Sequence, residues 1–236
     1  MRRRPADLLA RLATDDLRVI GQLRDASNAA LYCELGDGGG ACIYKPSAGE
    51  RPLHDFAAGS LAGRERAAFV LSEAAGWGFV PPTVLRDGPF GPGVVQQWVE
   101  PDASADVIAM VLAPDPRLRP ISLFDVLANN ADRKGSHLLP LADGRVMAID
   151  HGVCFAAEPK LRTVLWGWRG EPLTDAELAI VARIRAALGG SLADELAEAL
   201  SRDEILALAG RADALLAERA FPLPDPRRPA LPWPPF

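Results

Sequence analysis

The sequence predicts an α+β protein of two lobes, in which a small antiparallel sheet precedes a mainly helical lobe. Short apolar runs at 17–23, 30–35 and 41–45 are separated by turns rich in Asp, Asn and Gly, which is typical of an antiparallel meander. From residue 104 onward, apolar residues recur mostly at helical spacing. The change of pattern places the boundary between the lobes near residue 101.

The first lobe contains further elements beside the meander. A short amphipathic helix is predicted over 6–13, and a longer one over 61–75, where Leu and Ala recur at turn spacing between Arg and Glu. Two more strands are predicted at 83–86 and 93–100, and a turn that contains Gly88 joins them. This lobe is assigned to residues 1–100.

The second lobe, assigned to residues 101–221, is predicted to be helical with one hairpin. The hairpin pairs 138–141 with 146–150 around an Asp-Gly turn. The predicted helices cover 104–112, 119–129, 174–188, 192–200 and 202–219. Seven prolines crowd residues 222–236, and each proline fixes φ and removes an amide donor. We therefore expect this last segment to be an extended tail.

Composition excludes several classes of protein. The chain has 236 residues, is 49% hydrophobic and carries a net charge of -5, so a basic face for nucleic acid is not expected. No apolar stretch approaches the roughly 20 residues that cross a bilayer. Cys33, Cys42 and Cys154 are few and scattered, which fits neither a disulfide framework nor a structural zinc site. They predict reduced thiols in the cytoplasm.

The segment most informative about function runs from residue 129 to 151. A polar loop containing Asp132 follows an apolar helix, and the hairpin behind it ends in Asp150-His151-Gly152. Kinases organise phosphoryl transfer in this order: a loop aspartate receives the hydroxyl proton, a side chain five positions later binds metal, and an Asp-x-Gly aspartate bridges metal and phosphates. His137 stands five positions after Asp132. The order predicts an ATP-dependent phosphotransferase.

The first lobe supplies an independent test of this prediction. A kinase requires a lysine on the third strand to contact the nucleotide phosphates and a glutamate on the next helix to orient it. Lys45 ends the third predicted strand, and Glu65 lies on the following helix. Glu50 and Glu73 are alternative partners for the lysine.

The turn between the first two strands is the candidate phosphate-covering loop. It lacks a Gly-x-Gly-x-x-Gly pattern, but backbone amides and the side chains of Ser27 and Asn28 can still donate to phosphate oxygens. A purely structural turn is the alternative.

Five ordered motifs resemble the compact bacterial members of the phosphatidylinositol 3- and 4-kinase-like superfamily, in particular an actinobacterial branch. They are Ile43-Tyr44-Lys45-Pro46, Arg64-Glu65-Arg66-Ala67-Ala68, Val80-Pro81-Pro82-Thr83, Asn130-Ala131-Asp132-Arg133 and Ile149-Asp150-His151-Gly152. The resemblance implies a bilobal kinase-like fold with ATP in the cleft.

The resemblance also implies a role for each site residue. Lys45 would contact phosphates and Glu65 would orient it, while Gln97, Trp98 and Val99 would form the hinge against adenine. Asp132, followed by Arg133 in the catalytic loop, would be the base, and Asp150 would hold magnesium.

Two residues depart from the superfamily pattern. His137 replaces the asparagine that binds the second metal, and imidazole suits softer divalent ions than Mg²⁺. His151 replaces the phenylalanine of Asp-Phe-Gly. Three alternatives follow: the site accepts Mn²⁺ through His137, Asn130 replaces His137 as ligand, or catalysis is impaired.

The sequence thus predicts a kinase that uses ATP with Mg²⁺ or Mn²⁺. Its acceptor is a hydroxyl group on a small molecule, lipid headgroup or protein. A nucleotide-binding regulatory module without activity and an AMP transferase acting on protein are the alternatives. No polybasic cluster or cationic amphipathic helix favours an anionic membrane surface.

Overall fold

The computed structural model describes residues 5–23, 28–38 and 40–236, with side chains from residue 7 onward, and has the predicted α+β fold. A five-stranded antiparallel sheet forms the first lobe, in the order β1-β2-β3-β5-β4. Its strands are β1 (Leu17–Gln22), β2 (Leu31–Leu35), β3 (Ala41–Pro46), β4 (Thr83–Gly88) and β5 (Gly91–Gln97).

The predicted meander is confirmed, and the register of its third strand positions the site. β3 is central in the sheet, between β2 and β5, and Lys45 pairs with Val94 of β5. The strand predicted over 93–100 begins at Gly91 and ends at Gln97. It starts earlier because Gly91, with φ of 90°, forms the turn from β4 and its partner Gly88 pairs with it directly.

Seven α-helices, four short 3-10 helices and one two-stranded hairpin outside the main sheet are found in the part of the chain that the structure describes. The helices are α1 (Pro5–Thr14), α2 (Leu61–Ala75), α3 (Val107–Leu112), α4 (Arg119–Ala128), α5 (Asp175–Ala187), α6 (Ser191–Leu196) and α7 (Arg202–Glu218). The hairpin joins β6 (Leu138–Pro140) to β7 (Val146–Ala148). All predicted elements are present.

Local capping explains where several helices begin. Thr174 and Glu177 form a capping box before α5, and Ser201 with Glu204 forms another before α7. α3 starts three residues later than predicted because the side chain of Asp106 accepts a hydrogen bond from the amide of Ala109. α6 ends at Leu196 rather than at 200.

The apolar core connects the two lobes. A small cluster, which includes Leu12, Tyr44 and Val95, lies on one face of the sheet. The large cluster fills the helical lobe and also includes residues of α2, such as Leu71, together with Leu127 of α4. α2 therefore anchors the sheet to the helical lobe. Its packing there also determines where the side chains of α2 lie in the cleft.

Candidate active site

A lysine between two carboxylates lies at the centre of the cleft. The Nζ atom of Lys45 is 2.5 Å from Oε1 of Glu65 and 3.1 Å from Oδ1 of Asp150. Lys45 comes from β3, Glu65 from α2, and Asp150 from the end of the hairpin in the other lobe. Residues 105 positions apart in sequence are thereby joined across the cleft.

Packing around α2 determines which glutamate meets Lys45. The carboxylate of Glu50 accepts hydrogen bonds from the amides of Leu61 and Ala62, so it caps the N-terminus of α2. Glu73 is exposed on the same helix. Glu65 is buried, and its Oε2 atom accepts a hydrogen bond of 3.0 Å from the amide of His151. The structure thus places Glu65, rather than its two rivals, against the lysine.

Asp150 adopts an uncommon backbone conformation that projects its carboxylate into the cleft. Its φ is 61°, in the left-handed region that Asp tolerates better than most residues. The preceding carbonyl, that of Ile149, accepts a hydrogen bond of 2.9 Å from Nη1 of Arg133. The backbone on both sides of Asp150 is therefore fixed, since the His151 amide binds Glu65.

The charges of the central pair reinforce one another. Burial alone would lower the pKa of Lys45, but Asp150 and Glu65 raise it above its usual value. The ammonium group of Lys45 in turn holds the pKa of Asp150 well below its usual range, against the effect of burial. Both groups are therefore charged at neutral pH, as phosphate and cation binding requires.

His137 contacts the second oxygen of Asp150. Its Nε2 atom is 3.3 Å from Oδ2 of Asp150, and its Nδ1 atom accepts a hydrogen bond from the amide of Lys134. Burial lowers the pKa of His137 to about 4, so the imidazole is neutral and carries its hydrogen on Nε2. In this arrangement the hydrogen-bearing Nε2 atom contacts Asp150, and coordination of a metal through Nε2 would require the other tautomer.

Asp132 faces the cleft from the loop after α4. The side chain of Asn130 accepts a hydrogen bond of 3.0 Å from the amide of Asp132, which shapes the loop. The Nζ atom of Lys134 lies 3.2 Å from the Asp132 carboxylate. Burial raises the pKa of Asp132, Lys134 opposes that shift, and the negative charge of Asp150 adds to it. A carboxylate with a raised pKa is suited to accept a proton.

Arg133 is not a catalytic residue, because its side chain has no exposed surface with which to touch a substrate. Its Nη2 atom pairs at 3.0 Å with Asp125, which is also fully buried. Thr163 donates a further hydrogen bond of 2.9 Å to the same carboxylate. The prediction that grouped Arg133 with Asp132 is corrected: Arg133 positions the loop and the hairpin end.

Asp125 was not singled out from the sequence, although its position in an apolar helix indicates a buried, paired carboxylate. It is one acidic residue on the apolar face of α4, between Phe124 and Leu127, where an unpaired charge would be costly. It also accepts a hydrogen bond of 2.9 Å from Nδ2 of Asn130. Both polar groups of Asn130 are therefore engaged inside the protein, which argues against Asn130 as a replacement metal ligand.

His151, which replaces the phenylalanine of Asp-Phe-Gly, is a second residue whose role the structure defines. Its ring is fully buried and packs edge-on against Phe124, with ring centroids 5.2 Å apart. Among the described residues, neither ring nitrogen has a hydrogen-bond partner. Burial lowers the pKa of His151 well below its usual value, so the ring is neutral and packs here as an aromatic residue would.

The remaining predicted binding residues border the junction of the lobes or the first turn. Gln97 ends β5, and the amide of Trp98 still donates to the carbonyl of Ala41, so the chain continues beside the start of β3 as far as Trp98. The side chain of Asn28 accepts a hydrogen bond of 2.8 Å from the amide of Arg51. Ser27 lies outside the described residues.

The donor set fits a metal that is bound together with a nucleotide. Within the described ranges, no group of three or more His, Cys, Asp and Glu side chains is arranged to hold a metal ion. Mg²⁺ commonly uses one or two carboxylates and takes its other ligands from phosphates and water. Asp150, with a side chain 45% exposed, offers such a carboxylate.

Comparison with known proteins identifies the family. Protein Rv2133c of Mycobacterium tuberculosis is 44% identical over an alignment 262 positions long, which covers 95% of this chain and 94% of that protein. The chain belongs to the family of Protein Rv2133c. No protein-family profile matches the sequence.

Comparison with solved structures shows which known fold this chain resembles. A crystal structure of the Golgi casein kinase with Mn/ADP bound matches 91% of this chain and 75% of its own, with a TM-score of 0.63 and 14% identity. A second structure of that kinase gives 0.61 over 91% of the chain and 74% of its own, also at 14% identity. The fold is thus that of an atypical protein kinase. Across the described residues, the helices are too short or too polar to cross a membrane.

Proposed function

We propose that this protein is an ATP-dependent phosphotransferase that moves the γ-phosphoryl group to a hydroxyl acceptor with Mg²⁺ or Mn²⁺. The observation that carries the proposal is the position of Lys45 between Glu65 and Asp150, with one carboxylate from each lobe. A purely structural ion pair between Lys45 and Glu65 has no need of a further, half-exposed carboxylate such as Asp150. Phosphoryl transfer uses the lysine and both carboxylates.

Each cleft residue has a role in this reaction. Lys45, oriented by Glu65, would contact the phosphates, and Asp150 would hold the divalent cation, which neutralises phosphate charge when bound. Asp132 aligns the acceptor hydroxyl and takes its proton as the hydroxyl oxygen bonds to the γ-phosphorus, while the bond from that phosphorus to the β–γ bridging oxygen breaks and ADP leaves. Positioning and charge stabilisation account for most of the rate enhancement.

Further support concerns the nucleotide and the compartment. The Golgi casein kinase, which has the same fold, was solved with Mn/ADP bound, and we propose that Gln97, Trp98 and Val99 contact the adenine here. The three cysteines are free and buried, which supports a reducing, cytoplasmic location. The phosphatidylinositol 3-/4-kinase-like assignment rests on the sequence motifs, and it makes a phosphoinositide one acceptor to test.

One observation favours a second candidate, a nucleotide-binding regulatory module without activity. His137 stands at the position where the superfamily has a metal-binding asparagine, and because its Nδ1 atom accepts from the amide of Lys134, the Nε2 atom beside Asp150 carries the hydrogen, so the second ligand would be missing. AMP transfer to a protein would use the same groups with a different phosphorus atom as the target.

Two radiolabels distinguish these functions. The protein is incubated with ATP labelled on the γ- or on the α-phosphate, with Mg²⁺ or Mn²⁺, and with phosphoinositides, inositol, sugars or protein as acceptors. We expect transfer of the γ-label only. Transfer of the α-label would indicate AMP transfer, and saturable ATP binding with neither transfer would indicate the regulatory module.

Glu65→Gln should weaken transfer of the γ-label, while Glu73→Gln on the same helix should not.

A further inference from the structure

A second cavity lies in the helical lobe, on the far side of the catalytic loop. It has a volume of about 670 Å³ and opens between α7, the segment 157–161 and the first part of the tail. Asn129, the residue that ends α4 in a left-handed conformation, forms part of its wall. The volume lies within the range of roughly 300 to 1,000 Å³ that small-molecule sites have.

The walls of this cavity are mainly apolar. Ala207, Ala214 and Leu215 line it from one face of α7. Trp166, Phe221 and Leu223 line it from the opposite side. The indole of Trp166 donates to the carbonyl of Ala230 at 2.9 Å, which holds the tail in place as a wall. Such walls favour an apolar ligand body.

A partly buried arginine, Arg211, is one of the residues that line this apolar space. Arg211, on the same face of α7, donates from Nε to the carbonyl of Leu127 at 2.6 Å and from Nη1 to that of Ala156 at 3.4 Å. Its Nη2 atom is inaccessible to solvent and has no hydrogen-bond partner among the described residues. The guanidinium thus has one donor unused, and a small shift of the side chain, which would break only the long 3.4 Å bond, is needed to turn that donor toward the cavity.

The charge of Arg211 is also unbalanced. Burial lowers its pKa to about 10, so it remains charged at neutral pH, and within the described ranges no carboxylate lies at ion-pair distance from it. Arg133, which is fully buried, pairs with Asp125. Asp225 at the cavity mouth pairs with Arg227 and Arg228 instead. Burying a charge is costly unless an opposite charge accompanies it.

We propose that this cavity binds an amphiphile with one anionic headgroup, a carboxylate or a phosphate, which pairs with Arg211 while its apolar body fills the space along α7. Glu218 also lines the cavity, two turns further along the helix, so the headgroup is directed to the Arg211 end and away from that carboxylate. The proposal is independent of the proposed function, because it uses no residue of the cleft.

Calorimetric titration with four twelve-carbon probes tests the proposal. Dodecanoate, dodecyl phosphate, dodecanol and dodecyltrimethylammonium are each added to the full chain below the concentration at which they form micelles. We expect saturable binding at one site for one or both anions, with the stronger anion identifying the headgroup. Dodecanol should bind at least about tenfold more weakly, since a hydrogen bond to a charged group contributes roughly 1.5–3 kcal/mol.

Variants assign the binding to the cavity. Arg211→Met should weaken anion binding at least about tenfold, while Arg202→Met, at the exposed start of α7, should leave it unchanged. Ala207→Phe should block all four probes by filling the cavity, and it decides the question if Arg211→Met does not fold. Equal binding of anions and dodecanol, or unchanged binding by Ala207→Phe, would overturn the proposal.

Discussion

Asp150 and Asp132 face the same cleft, yet their environments shift their proton affinities in opposite directions. Lys45 holds the pKa of Asp150 low, whereas burial raises that of Asp132. Asp150 is also held by His137 and by a fixed backbone, while Asp132 pairs only with Lys134 among the ion pairs of the described residues. Two carboxylates whose pKa values diverge are suited to different tasks. This difference supports the proposal that Asp150 binds the cation and Asp132 accepts the proton.

The largest effect is expected from Asp150→Asn. The change keeps the size of the side chain but removes both the counter-charge of Lys45 and the proposed metal ligand. Metal stabilisation of developing charge contributes several kcal/mol, so turnover should fall about thousandfold or more. Steady-state ATP turnover measures the loss, with Asp143→Asn in the same hairpin as a control. Near-normal turnover by Asp150→Asn would remove Asp150 from the site.

A smaller loss, of about 10²–10⁴-fold, is expected from Asp132→Asn, because general base catalysis contributes that much. Nucleotide affinity should be unchanged, since Asp132 is not assigned to the phosphates. Turnover and calorimetric ATP binding are measured on the same preparation. If ATP affinity fell in parallel with turnover, the two carboxylates would share one role and the comparison would fail.

His137 distinguishes a hydrogen-bond donor from a metal ligand. If His137 positions Asp150 through its Nε2 hydrogen, His137→Ala should lower activity about 10- to 100-fold. His137→Gln should restore part of that activity. The ratio of activities with Mn²⁺ and Mg²⁺ should stay constant in both variants. A shift of that ratio toward Mg²⁺ in His137→Gln would instead identify the imidazole as a ligand, since an amide oxygen is the harder donor.

The smallest effect, a few-fold loss near neutral pH, is expected from Lys134→Met. Lys134 favours the charged form of Asp132, so its removal raises the pKa of Asp132 further. Activity that needs the deprotonated base is lost as pH falls through this pKa, and the acidic limb of the kcat/KM profile should therefore move to higher pH. Lys160→Met, which alters a pair with Asp55, serves as the control. An unmoved limb would argue against Asp132 as the base.

The order of elements and the central trio could be predicted because short patterns encode them. Strand, helix and hairpin signals place Lys45 near the end of a strand, Glu65 within the next helix and Asp150 after the hairpin, and a known order of motifs relates them. The distances that join them depend on how α2 packs into the helical lobe, which no local pattern specifies.

What the sequence could not supply are the partners of each polar side chain. Arg133 next to Asp132 suggested a shared task, yet the backbone of the loop directs one side chain inward and the other into the cleft. The tautomer of His137 depends on a hydrogen bond from the amide of Lys134. The donor of Arg211 that lacks a partner can be identified only once the packing of α7 and the tail is known.

A structure with Mn²⁺ and a non-hydrolysable ATP analogue tests the central claim most directly. We predict a manganese anomalous peak beside the Asp150 carboxylate, with the ammonium group of Lys45 contacting the phosphates and still paired with Glu65. A nucleotide and ion bound elsewhere, with Lys45 and Asp150 still joined to each other, would contradict the assignment of this cleft to phosphoryl transfer.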